Sequence, residues 1–170
     1  MQTARVASML TGVPLLMLPR AVTHLLGESP EKLLLDNATA RLYEAEISLM
    51  QRTLKARTKG IIALGPTTLE DPACAAWVAK YGVVIYLRQS LRDATEAIHA
   101  EVRKDQAKHR HLMAFGDMEE ETLAAVYTDR HAVFEKMANQ IIDIEKRLPL
   151  RVGRDLVTAL GWDADEEAQV

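Results

Sequence analysis

Gly60-Ile61-Ile62-Ala63-Leu64-Gly65-Pro66-Thr67 carries two glycines and a closing hydroxyl at the interval of a phosphate-cradling loop, but proline stands where that loop has lysine. Such a loop works by turning backbone N–H groups and one ammonium toward a nucleotide's phosphates. Proline brings neither charge nor N–H. The interior, Ile61 to Leu64, is a continuous apolar run that reads as a buried strand rather than a turn. The motif G-x-x-x-x-G-K-[ST] occurs nowhere in the 170 residues. Phosphoryl transfer depends on such a loop, a held Mg²⁺ and a group that orients the nucleophile, so the grip on ATP is missing.

Other residues that could do chemistry are scattered. His109 and His111 flank Arg110, but no cysteine or second cluster completes a tetrahedral metal site, and the pair reads as part of a solvated segment. His24, His99 and His131 stand alone, without a Ser/His/Asp order. The basic run from Arg103 to His111 reads as one face of a polar helix, answered by Asp117 to Glu121. Trp77 and Trp162 read as core or capping aromatics, and Asp163, Asp165, Glu166 and Glu167 as an acidic, solubilising tail over 163–170. The single cysteine, Cys74, lies in an Ala-rich helical stretch and reads as a small buried hydrophobe. Arginine is the residue type best suited to a site here, because its guanidinium fork matches carboxylate and phosphate bidentately.

The elements that must position these groups alternate in type. Lys59 to Leu91 reads as strand, turn, helix, strand and helix start. Val83-Val84-Ile85-Tyr86-Leu87 is β-branched and apolar on both faces, as a central parallel strand requires. Val13 to Leu18 is a short strand ended by Pro19, and Ile141 to Ile144 a last one. Helices are expected from Thr3 to Thr11, up to Leu26 with Gly27 as C-cap, from Ser29-Pro30, and from Ala38 to Arg57. The Ala38–Arg57 pattern sets Leu42, Ile47, Leu49, Met50 and Leu54 against Arg41, Glu44, Glu46, Gln51 and Arg52. Further helices are expected from Ala73 to Lys80, from Ser90, from Thr122 to Met137 and from Val152 to Leu160. Thr67 with Glu70, and Ser90 with Asp93, read as capping signatures. The whole reads as one α/β domain over 1–170 with a parallel sheet covered by helices on both faces. Net charge is −3, apolar content 48% and charged content 26%. That balance argues against nucleic-acid binding. No run is long and apolar enough for a membrane span and no leader is evident, so the expectation is a cytoplasmic protein.

In order and spacing, from about Arg5 to Leu160, the chain resembles shikimate kinase, a small member of the nucleoside-monophosphate-kinase-like fold. Ala40-Arg41-Leu42-Tyr43-Glu44 resembles the family's F-R-x-x-E helix, and Ala63-Leu64-Gly65-Pro66-Thr67 its A-T-G-G-G. Val84-Ile85-Tyr86-Leu87 with Ser90-Leu91 resembles its V-V-Y-L strand and following helix start. Arg110-His111-Leu112-Met113 resembles the lid segment R-P-L-L, and Arg130-His131-Ala132-Val133-Phe134 resembles R-x-P-L-Y. Ala138 to Asp143 resembles the closing A-D-x-x-V-D strand. The resemblance implies that Arg41, Arg130 and Gly65 bind shikimate or a similar small carboxylate, and that Arg110 reaches the transferred phosphate.

The departures lie at the catalytic positions. Val13-Pro14-Leu15-Leu16-Met17-Leu18-Pro19 resembles L-P-F-I-D-T-D with both aspartates replaced, by Met17 and Pro19. Two glycines of the triple are replaced, and the family's first strand and phosphate loop have no counterpart. The expectation is therefore a pseudoenzyme with a regulatory or partner role, no catalytic residue, no metal and no cofactor. One alternative is a working kinase of aromatic amino-acid biosynthesis with a truncated N-terminus, which would need ATP and Mg²⁺. Another is a structural protein: loss of a central strand exposes sheet edges and predicts a homo-oligomer or a rearranged sheet.

Overall fold

The computed structural model describes residues 2–56, 59–104 and 120–162. It divides into two compact units, one formed by residues 1–82 with 147–170 and the other by 83–146.

In the first unit, α1 (Gln2–Thr11) ends at Gly12, whose φ of 67° is the left-handed geometry that glycine adopts without penalty. Strand β1 (Leu15–Met17) runs straight into α2 (Leu18–Leu26). Leu18, expected to extend the strand, instead opens this helix. Pro19 in the first turn has its φ already set for a helix, and the N–H it lacks would have no intrahelical partner there. Gly27 ends α2 at φ 72°, its N–H bonded to the Thr23 carbonyl. Ser29 accepts the Lys32 N–H at 3.2 Å and caps α3 (Pro30–Leu35). The long α4 (Thr39–Ala56) packs Leu42 and Ala45 against Val22 and Leu33 in a cluster bordered by Leu26, Leu34 and Leu49.

Strand β2 (Ile61–Ala63) pairs in parallel with β1, Leu15 opposite Ile61 and Met17 opposite Ala63. The expected Thr67/Glu70 cap does not form. Thr68–Glu70 is a single 3-10 turn, and Asp71 is the true cap of α5 (Pro72–Tyr81), accepting the Cys74 N–H at 2.8 Å. Pro72 at the first helical position favours that later start. Asp71→Ala is expected to lower stability by about 0.5–2 kcal/mol, read as a lower urea midpoint with unchanged m. The last helix of this unit, α8 (Pro149–Ala159), packs on α1, with Gly153 facing Val6 and Ala7.

The second unit holds β3 (Ile85–Arg88), α6 (Leu91–Lys104), α7 (Glu120–Met137) and β4 (Gln140–Asp143). Strands β3 and β4 pair in parallel, Ile85 opposite Gln140 and Arg88 opposite Asp143. The ladder begins two residues later than expected for Val83–Leu87. Val84 is instead hooked by Asn139, whose Oδ1 accepts its N–H at 2.8 Å, while the Val84 carbonyl accepts the N–H of Asn139 at 2.9 Å. Ser90 caps α6 as expected, taking the Asp93 N–H at 3.1 Å. The strands thus form two parallel pairs, β1–β2 and β3–β4, and the chain has the α/β fold with helices and parallel strands that its alternation of elements predicts.

Candidate functional site

Parallel strands place their carboxyl ends side by side, and in α/β folds ligands bind outside those ends. In the first unit these ends are Met17, leading to Pro19, and Ala63, leading to Gly65. No acidic residue stands at either end. The carboxyl group near them comes from α4. Glu46 is 1% exposed, and its Oε1 accepts the Thr68 hydroxyl at 3.0 Å. Thr68 Oγ1 in turn accepts the Gly65 N–H at 3.0 Å. Gly65 is closely approached here: a Cβ at this position would lie 3.1 Å from Thr68 Oγ1, 3.2 Å from Glu46 Oε1 and 3.6 Å from the Pro19 ring.

Among the described residues, Glu46 Oε2 is buried without a hydrogen-bond partner. Burial pushes the carboxyl up to about 7; the Thr68 hydroxyl opposes this shift and the negative field of Asp71 adds to it. The same low-dielectric pocket pushes the Cys74 thiol up to about 12, chiefly by burial and then by Asp71, so this thiol is inert. The Tyr43 phenol, one turn back on α4, is also raised, mainly by burial.

Glu46 was expected on the polar side of α4, and the structure puts it inside. A signal was available: Leu42, Glu46 and Met50 follow one another at i+4, and Leu42 and Met50 are both 0% exposed. Arg41 lies on the first turn of α4 with more than half of its side chain exposed. Its Nη1 pairs with Glu28 Oε2 at 2.7 Å, and Glu28 Oε1 also holds Lys32 Nζ at 2.6 Å. Lys32 first and then Arg41 keep the Glu28 carboxyl below the usual range. Arg41 is therefore engaged with Glu28 while Gly65 is engaged with Thr68.

In the second unit Arg130 is half-buried on α7, next to His131. At the carboxyl ends of β3 and β4, Arg88 holds Asp143 bidentately, Nε to Oδ1 at 2.5 Å and Nη2 to Oδ2 at 2.9 Å. Arg88 also reaches Glu135 Oε1 at 3.1 Å, the same oxygen that lies 3.1 Å from His131 Nε2. That contact favours the proton on Nε2. Nδ1 is then left to accept the Tyr86 hydroxyl at 3.0 Å, with Tyr127 stacked on the imidazole at a centroid distance of 5.5 Å. Each of these side chains is answered by another, so the network fixes α7 on the strand ends. Arg110, His109, His111 and the acidic tail lie outside the described residues.

Two solved structures share this fold. The shikimate kinase of Aquifex aeolicus is 14% identical, with 96% of this chain and 90% of that chain aligned at a TM-score of 0.72. The shikimate kinase of Acinetobacter baumannii, solved in complex with shikimate, is 13% identical over 96% of this chain and 87% of that chain, at a TM-score of 0.70. No curated protein is significantly similar in sequence. The family model for shikimate kinase matches residues 5–161, which span both strand pairs and the Glu46–Thr68–Gly65 chain, and the protein therefore belongs to the shikimate kinase family.

Proposed function

We propose that this member of the family binds a small carboxylate, shikimate or a close relative, and acts in a regulatory or partner role without transferring a phosphoryl group. The observation that carries this reading is the end of β1. Met17 and Pro19 present a thioether and a pyrrolidine ring where phosphoryl transfer needs groups to hold Mg²⁺ and to orient a hydroxyl. The retained arginines, Arg41 and Arg130, favour a carboxylate ligand through bidentate pairing. The Acinetobacter relative's complex with shikimate makes shikimate the first ligand to test.

Calorimetric titration with shikimate is expected to show binding that weakens roughly tenfold or more in Arg41→Ala and in Arg130→Ala, as befits loss of a charge-assisted hydrogen bond. Glu28→Gln should tighten binding, because the ligand carboxylate then no longer competes with the Glu28 carboxylate for Arg41. Absence of binding at millimolar shikimate overturns the reading, and so does steady ATP turnover in a coupled assay.

A further inference from the structure

Among the described residues, one buried side-chain acceptor in the first unit has no donor. Glu46 Oε2 is buried beside the carboxyl ends of β1 and β2, while Oε1 is already taken by Thr68. Around the other oxygen, Oε1, the groups are small and uncharged: the Thr68 hydroxyl bonds to it, and a Cβ on Gly65 would stand 3.2 Å from it and 3.6 Å from the Pro19 ring. An ammonium would bring three N–H donors to a place with one open acceptor, leaving the others unsatisfied in a dry environment. A hydroxyl brings one donor for one acceptor.

The turn from Gly65 to Glu70 that supplies Thr68 is closed by a Thr68 N–H to Gly65 carbonyl bond of 3.4 Å and by Glu70 N–H to the Thr67 carbonyl at 2.9 Å, with Thr67, Thr68 and Leu69 buried.

We infer that Glu46 Oε2 is the recognition point for a ring hydroxyl of a small polyol ligand at the carboxyl ends of β1 and β2. The inference rests on the same strand-end site as the small-carboxylate reading and assigns the hydroxyl half of the ligand to a residue of α4. A hydroxyl donated to Oε2 stabilises the ionised carboxyl, so binding draws the proton off Glu46. The titratable groups that face it are Asp71, whose negative charge opposes ionisation, and the Tyr43 phenol and Cys74 thiol, both raised and both neutral near pH 7.

The test is titration of the full chain with shikimate at about pH 6 and about pH 8, on either side of the Glu46 carboxyl at about 7. Wild type should bind about tenfold more tightly at the higher pH, and Glu46→Gln, checked for folding by its thermal transition, should lose that dependence. In parallel, myo-inositol, which has hydroxyls and no carboxylate, should shift the Gly65 and Thr68 amide resonances in wild type but not in Glu46→Gln. If shikimate binds with a flat pH profile and still weakens in Arg41→Ala, the carboxylate reading stands and the Glu46 inference falls. If shikimate fails to bind, the carboxylate reading falls and the inositol arm decides alone. Unmoved amides then overturn the Glu46 inference as well.

Discussion

Glu46→Gln should stabilise the protein above neutral pH by about 1–3 kcal/mol, while below about pH 4.5 the difference should vanish. Burial raises the folded carboxyl from its ordinary 4.5 to about 7. Between those two values the unfolded chain has released its proton and the folded chain keeps it. The unfolded state therefore binds fewer protons, and the sign of the linkage makes this group's contribution fall as pH rises from 4.5 through 7. Glutamine keeps an acceptor for the Thr68 hydroxyl and carries no charge to desolvate. Urea midpoints of both proteins at several pH values isolate the effect, because every other titrating group is common to the two. Parallel curves across the window would mean that Glu46 ionises in the folded protein as it does in water, and its burial would then have no energetic consequence.

A second large effect is expected where α1 crosses α8. A Cβ on Gly153 would lie 2.5 Å from Val6 Cγ1, 2.9 Å from Val6 Cβ and 3.5 Å from the Ala7 nitrogen. Valine cannot swing away, because branching at Cβ restricts χ1 in a helix, and Ala7 is 0% exposed. Gly153→Ala must push the two helices apart, at an expected cost of about 1–3 kcal/mol despite the better helix propensity of alanine. Val6→Gly in the Gly153→Ala background should recover part of the loss, giving a coupling energy of opposite sign to the single-mutant costs. If Gly153→Ala instead raises the thermal midpoint, the helices are not in close contact and propensity governs the site.

The resemblance to shikimate kinase, the parallel α/β class and most helix ends were legible because each depends on short-range chemistry. Ser29 with Pro30, Gly12, Gly27 and Ser90 punctuate the chain wherever they stand, since capping and positive φ are settled within one turn. The errors lie where a local signal competed with a neighbour. Thr67 and Glu70 satisfied a capping pattern, but Asp71-Pro72 offered a better helix start four residues later. Leu18 had strand character, but Pro19 drew it into α2.

The candidate site was half legible. That Met17 and Pro19, and no carboxylate, stand at the end of β1 is a matter of composition, and the sequence alone determined it. Tertiary structure decided that Glu46 lies inside, that its Oε1 is tied through Thr68 to the Gly65 amide, that Arg41 is held by Glu28, and that the strands pair as β1–β2 and β3–β4. The reason is physical. Periodicity records which face of a helix is mostly apolar, but the environment of one carboxyl depends on groups such as Thr68 and Asp71, brought to it from the segment after β2, and no spacing within α4 encodes them.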